Sequence, residues 1–186
     1  MSKVDPLQDW EGFYKEFENE TPRGIVILAG AFLDAQLRNL ISKFLIDEPK
    51  ITEDLLGGED IGERPLSSFG SRIKVAYSLG LISRSVYDDL IIIKKIRNKF
   101  AHRMHDYTFD EPQVIDWCKS LKLAKQLTDS NPRFPNSHGN MFLLSVTAVA
   151  NWLALWAIKA ERSRRTPQKD PALIRVEATP VKKSEA

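Results

Sequence analysis

The chain has 186 residues, 42% of them hydrophobic and 28% charged, which is enough for one domain with a real core. Its net charge of +2 hides an asymmetry: residues 159–186 carry eight Lys/Arg against four Asp/Glu, leaving the remainder at −2. A body of that sign argues against nucleic-acid binding through a basic stripe, and the single cysteine, Cys118, excludes an internal disulfide and fits a reducing compartment.

Helical periodicity dominates the chain, and neither a sustained alternating run nor an Asn-Gly or Asp-Gly hairpin turn is present. "DPLQDWEGFYKEFENE" reads as a first helix with Trp10, Phe13, Tyr14 and Phe17 on one side, and the N-terminus lacks a charged-then-apolar secretion pattern. Thr21-Pro22 is an N-cap followed by proline at the first helical position. It opens a long helix to about Ile46, with Leu33, Leu37, Leu40 and Phe44 at core spacing. Within it Asp34 and Arg38 stand at i, i+4, the spacing of a surface ion pair. Residues 47–68, with Gly57-Gly58 and two prolines, read as loop-rich, with no helix assigned there. "SSFGSRIKVAYSL" is the next helix, stopped by Gly80. "SRSVYDDLIIIKKIRNKFAH" follows, capped by Ser83 or Ser85, with Val86, Leu90, Ile93, Ile96 and Phe100 inward. One helix is expected over about 111–127, burying Val114, Trp117 and Cys118. Residues 128–140 are turn chemistry, and a last helix covers about 140–163. Its stretch 141–158 is uncharged, at the lower edge of membrane-spanning length. Phe142, Val146, Val149, Leu153 and Trp156 recur on one stripe, however, which suits a core helix of a soluble bundle better than a membrane span. From Thr166 the chain is proline-broken and polar, and a disordered tail is expected.

Two stretches carry functional signals. Ala76, Gly80 and Val86 have the spacing of a DNA-reading helix-turn-helix. The second helix would then present Asp88 and Asp89 to phosphates, which would repel them, so direct DNA binding is doubtful and a helical hairpin inside a bundle is the stronger reading. The other stretch, "KKIRNKFAHRMH", ends its helix in cations and histidines. Arg97 offers a planar charged fork for two phosphate oxygens. His102, like His105, suits proton transfer near neutral pH, and Asn98 could orient either partner. Such a set can cleave RNA without a metal: the histidine takes the 2′-hydroxyl proton while the arginine stabilises the phosphorane charge. Five residues at about 100° each put Arg97 and His102 roughly 140° apart on an ideal helix. Either the helix ends between them or two subunits share the site. The bland reading is that these cations compensate the negative pole of a helix C-terminus. Cys118 has no companion Cys or His at metal-ligand spacing, and neither metal nor cofactor is expected.

Arg97-Asn98-x3-His102 at a helix end resembles the Arg-x4–6-His signature of the HEPN superfamily, small helical domains that are commonly dimeric and include metal-independent ribonucleases. "GAFLDAQLRNLISKFL", "LLGG", "PLSSFGSRIKVAYSLGLIS", "YDDLIIIKKIRNKFAH" and "YTFDEPQV" are similar to the mannitol operon repressor family over about residues 22–160. That resemblance implies an all-α HEPN-like bundle of about five or six helices with a role in repressing a sugar-alcohol operon. By resemblance, Arg97, Asn98 and His102 take the HEPN motif positions, and they are catalytic only if that motif is active here. The expected organisation is an N-terminal helix at 1–20, the helical domain at 21–163 and a disordered basic tail at 164–186. The expected function is negative control of transcription by a cytoplasmic homodimer, through a regulatory protein partner rather than direct DNA reading, with no membrane involved. The alternative is a metal-independent endoribonuclease acting on RNA.

Overall fold

The computed structural model describes residues 20–57, 64–102, 107–130 and 137–168. Among them are seven helices and no strand: α1 (Pro22–Phe44), α2 (Pro49–Leu56), α3 (Phe69–Ser78), α4 (Arg84–His102), α5 (Pro112–Lys119), α6 (Lys122–Ser130) and α7 (His138–Arg162). The expected first helix and the tail from residue 169 lie outside the described residues.

The start of α1 follows its sequence: the Thr21 hydroxyl accepts the Gly24 N–H at 3.1 Å and Pro22 occupies the first turn. Val26, Leu33, Leu37 and Leu40 form its fully buried stripe. α7, capped by Ser137, buries Phe142, Val146, Val149 and Leu153 against it. Lys43 pairs with Glu161 at 3.0 Å, and the Arg165 N–H donates to the Phe44 carbonyl at 2.9 Å. The C-terminal ends of α1 and α7 therefore lie together, so these two long helices run parallel. Both are long and apolar enough to cross a membrane, yet each puts its most apolar stripe into the common core. Trp156 does not join that stripe fully; it is half-buried at the edge.

α4 is the central element, packed against α1, α3, α5, α6 and α7. Val86, Leu90, Ile93, Ile96 and Phe100 are its buried face, as their spacing predicts. Gly80 turns the chain from α3 into α4 with φ +69°, a left-handed conformation that costs glycine little. The Leu81 N–H donates back to the Ala76 carbonyl there, closing the end of α3.

Three local expectations are corrected. The stretch 47–68 is not all loop, because α2 occupies Pro49–Leu56. Its terminal carbonyls are held from a distance: Arg72 Nη2 donates to the Leu56 carbonyl at 2.8 Å, and Arg38 donates to the Gly57 carbonyl through Nε at 3.1 Å and Nη2 at 2.7 Å. Asp34 consequently does not pair with Arg38. It takes Nη1 of the largely buried Arg72 at 2.6 Å instead, while Arg72 Nε reaches the Leu66 carbonyl at 2.8 Å. The expected single helix over 111–127 is two, broken at Ser120-Leu121. Val114 and Cys118 are fully buried, but Trp117 only partly. Burial pushes the Cys118 thiol up to about 12.

Candidate functional site

The C-terminal half of α4 rests on a ladder of rings. Phe100 meets Tyr107 edge-on at 5.0 Å and Phe109 at 5.4 Å, and Phe109 in turn contacts Phe142 of α7 at 5.4 Å. This ladder fixes the chain on both sides of residues 103–106, which include His105 and lie outside the described residues. On the α1 side, the stem of Arg97 lies against Gly30. A Cβ added at Gly30 would fall 2.8 Å from Arg97 Cγ, so only glycine permits that approach without displacing the arginine. The guanidinium stays exposed and donates through Nη1 to Asn98 Oδ1 at 3.1 Å.

α4 continues unbroken through His102, which is exposed at its last position. The helix therefore does not end between Arg97 and His102, and the two project from different sides of one continuous helix. Arg97 and Asn98 are brought together; no hydrogen bond or ion pair joins either of them to His102. The α4 terminus also receives a group that sequence reasoning missed. Arg23 of α1 donates through Nη2 to the Ala101 carbonyl at 3.2 Å, satisfying one of the orphan acceptors of the helix end. Gly30 was the only local hint, a small residue on an otherwise bulky helix face.

The helix-turn-helix spacing does fold as a helical hairpin, α3–Gly80–α4, but its two acids have other uses. Asp89 is 0% exposed and accepts three hydrogen bonds: from the Lys122 N–H at 2.8 Å, the Leu123 N–H at 3.0 Å and the Ser145 hydroxyl at 2.8 Å. Lys122 and Leu123 open α6, so a carboxylate on α4 does for α6 what its own N-cap position, Leu121, cannot. Asp88 pairs with Arg84 at 2.9 Å and with Lys122 Nζ at 2.6 Å. The lysine ammonium and the arginine together hold its carboxyl below the usual carboxylate range. Arg84 also lies over the rings of Tyr77 and Tyr87, at 5.9 and 5.7 Å. The expected repulsion of phosphates by bare Asp88 and Asp89 is thus replaced by a different obstacle. The helix that would read DNA is clasped by α6 and cannot enter a groove without losing it.

α4 packs against five other helices, so the α3–α4 hairpin is scaffold in an all-helical bundle. The MtlR family, described as mannitol repressor, matches residues 15–163, and the chain belongs to that family. The mannitol operon repressor of Escherichia coli K12 is 24% identical over 85 residues, 46% of this chain and 43% of that protein; its counterpart from E. coli O6:H1 matches equally. The aligned part thus spans less than half the length of these curated relatives. Two solved structures share the fold. MtlR of the MtlR–HPr complex from E. coli has a TM-score of 0.60 at 17% identity, covering 78% of this chain and 98% of that one. YggD, a possible transcriptional regulator from Shigella flexneri, has a TM-score of 0.62 at 15% identity, covering 82% and 99%.

Proposed function

We propose that this protein is a cytoplasmic regulator of the mannitol repressor type, exerting negative control of transcription through a protein partner rather than by reading DNA itself. The observation that carries the reading is the engagement of α4 inside the bundle: Asp89 is buried and spent on α6 and α7, and Asp88 is tied to Lys122 of α6. Family membership supports the regulatory role. A related fold solved together with HPr supports a protein partner of that kind. Titration calorimetry with HPr from the same organism should show saturable binding at about 10 µM or tighter. Promoter DNA at physiological salt should bind weakly and without sequence preference. Nanomolar promoter affinity that survives excess competitor DNA, in the absence of any partner, would sink the proposal.

A second reading, metal-independent RNA cleavage, has one observation in its favour: Arg97 and His102 are both solvent-exposed, and Asn98 orients the guanidinium. Because the two lie on different sides of α4, that chemistry requires a homodimer in which one protomer supplies the arginine and its partner the histidine. RNA incubated with protein and chelator decides it. The regulator reading expects no cleavage, whereas cleavage lost by about 10²-fold or more in both Arg97→Ala and His102→Ala, each still folded, would establish the nuclease.

A further inference from the structure

Where α1, the α3–α4 turn and the C-terminal end of α7 meet, the surface folds into a cleft of about 290 Å³. Phe44 from α1, Leu79 and Leu81 from either side of Gly80, and Trp156 from α7 give it an apolar side, while Ser163 and the charged side chains make the rest of its lining polar. Its rim carries two cations, Lys159 and Arg165. The neighbouring acids are already used by other cations, since Glu161 pairs with Lys43 and Asp47 with Arg164. Among the described residues neither Lys159 nor Arg165 is in an ion pair. Arg165 is nevertheless held in place. Its guanidinium lies 4.8 Å above the Phe44 ring, and its backbone N–H donates to the Phe44 carbonyl at 2.9 Å.

A helix end attracts cations for its own sake, because its carbonyls carry partial negative charge. That accounts for one positive charge near the end of α7. It does not account for a cleft that brings Trp156 and Leu79 together with two cations, one of which, Arg165, is held over the Phe44 ring. A site of this size and lining suits a small molecule that presents flat or apolar surface to Trp156 and Leu79 and an anionic group to the rim. The geometry points to a binding site for a small organic anion, a phosphate or carboxylate on an apolar or aromatic body, in the cleft between the α3–α4 turn and the end of α7. The site lies at the turn of the hairpin, away from the Arg97–His102 end of α4, and stands independently of which partner the regulator meets.

Phenyl phosphate is a suitable probe because it joins the two features, with inorganic phosphate and benzyl alcohol presenting each alone. Titrations are followed by the indole N–H resonance of Trp156 in nitrogen-15-labelled full-length protein, assigned with Trp156→Phe. Phenyl phosphate should shift that resonance saturably with Kd of about 1 mM or tighter, and each half-probe should bind at least about tenfold more weakly. The variant Lys159→Gln/Arg165→Gln should weaken phenyl phosphate about tenfold or more, with benzyl alcohol unchanged. Lys159→Gln alone keeps the Arg165–Phe44 stack and should show an intermediate loss, so a folding defect in the double variant leaves the inference testable. Equal binding of inorganic and phenyl phosphate, no response of Trp156 at about 10 mM probe, or undiminished binding in the folded single and double variants would each overturn the assignment.

Discussion

Asp88 and Asp89 are adjacent in sequence and alike in chemistry, yet one turn-fraction of about 100° separates their fates. Asp88 faces out, where its two cations are themselves solvated: Arg84 and Lys122 are both about half or more exposed. Pairs of that kind are worth little, so Asp88→Ala should lower the unfolding free energy by about 1 kcal/mol or less. Asp89 faces in, and its loss strands two helix-opening N–H groups and a buried hydroxyl. Capping losses and unsatisfied buried donors together give about 2–4 kcal/mol for Asp89→Ala. Urea unfolding of the two variants side by side measures the contrast, and equal destabilisation would show that Asp89 is not the hub its hydrogen bonds describe.

At the level of elements, what the sequence announced was whatever its own side chains determine. α1, α4 and α7 each carry a long apolar stripe and a local cap, and periodicity located that stripe, naming all but Asp89 of the buried residues on α4 and the large ones at the centre of α1 and α7 while passing over small ones such as Ala29, Gly30, Ala150 and Ala157. The two misread segments are held by groups far away in the chain. α2 is eight residues with a single fully buried side chain, Leu56, too short to be stable alone. It persists because Arg72 and Arg38 take its last carbonyls. The break between α5 and α6 arises because Asp89, 33 residues before Lys122, captures the N–H groups at the start of α6. At the α4 terminus the identity and spacing of Arg97, Asn98 and His102 and the helix span to His102 were legible, but the contacts from α1, Arg23 on the Ala101 carbonyl and Gly30 against the Arg97 stem, were not. Arg72→Met tests this dependence on distant groups. It leaves the Leu56 and Leu66 carbonyls and Asp34 without their donor, so α2 should lose amide-exchange protection while α1 and α7 keep theirs. Arg72→Lys should not restore it, because one ammonium cannot serve three acceptors in different directions. Unchanged exchange in α2 would mean that its own residues hold it.

For the whole molecule, the decisive feature is what the core leaves uncovered. α7 turns one side inward, but Trp152, Leu155 and Ile158 on its other side are 44%, 60% and 46% exposed. Scattered apolar residues on a surface are ordinary; three large ones at i, i+3 and i+6, with the Trp152 and Trp156 rings 5.6 Å apart beside them, form one continuous face. The same face explains why 141–158 reads near the membrane limit: its outward side is nearly as apolar as its inward side. We propose that a second copy of the chain covers it, since a two-fold contact of like faces is the commonest way a soluble helical domain buries such a strip. Light scattering at micromolar concentration should then give twice the 21.2 kDa chain mass. Leu155→Glu puts a charge in the middle of the strip without touching the core, so it should yield a monomer with an undiminished thermal midpoint. The outcome reaches back to α4. In a chain that is monomeric at every accessible concentration, Arg97 and His102 never share a substrate, and the composite nuclease falls together with the dimer. If the parent is a dimer and Leu155→Glu leaves it one, subunits meet on another surface, and the α4 terminus with its exposed Arg97 and His102 becomes the place to probe for it.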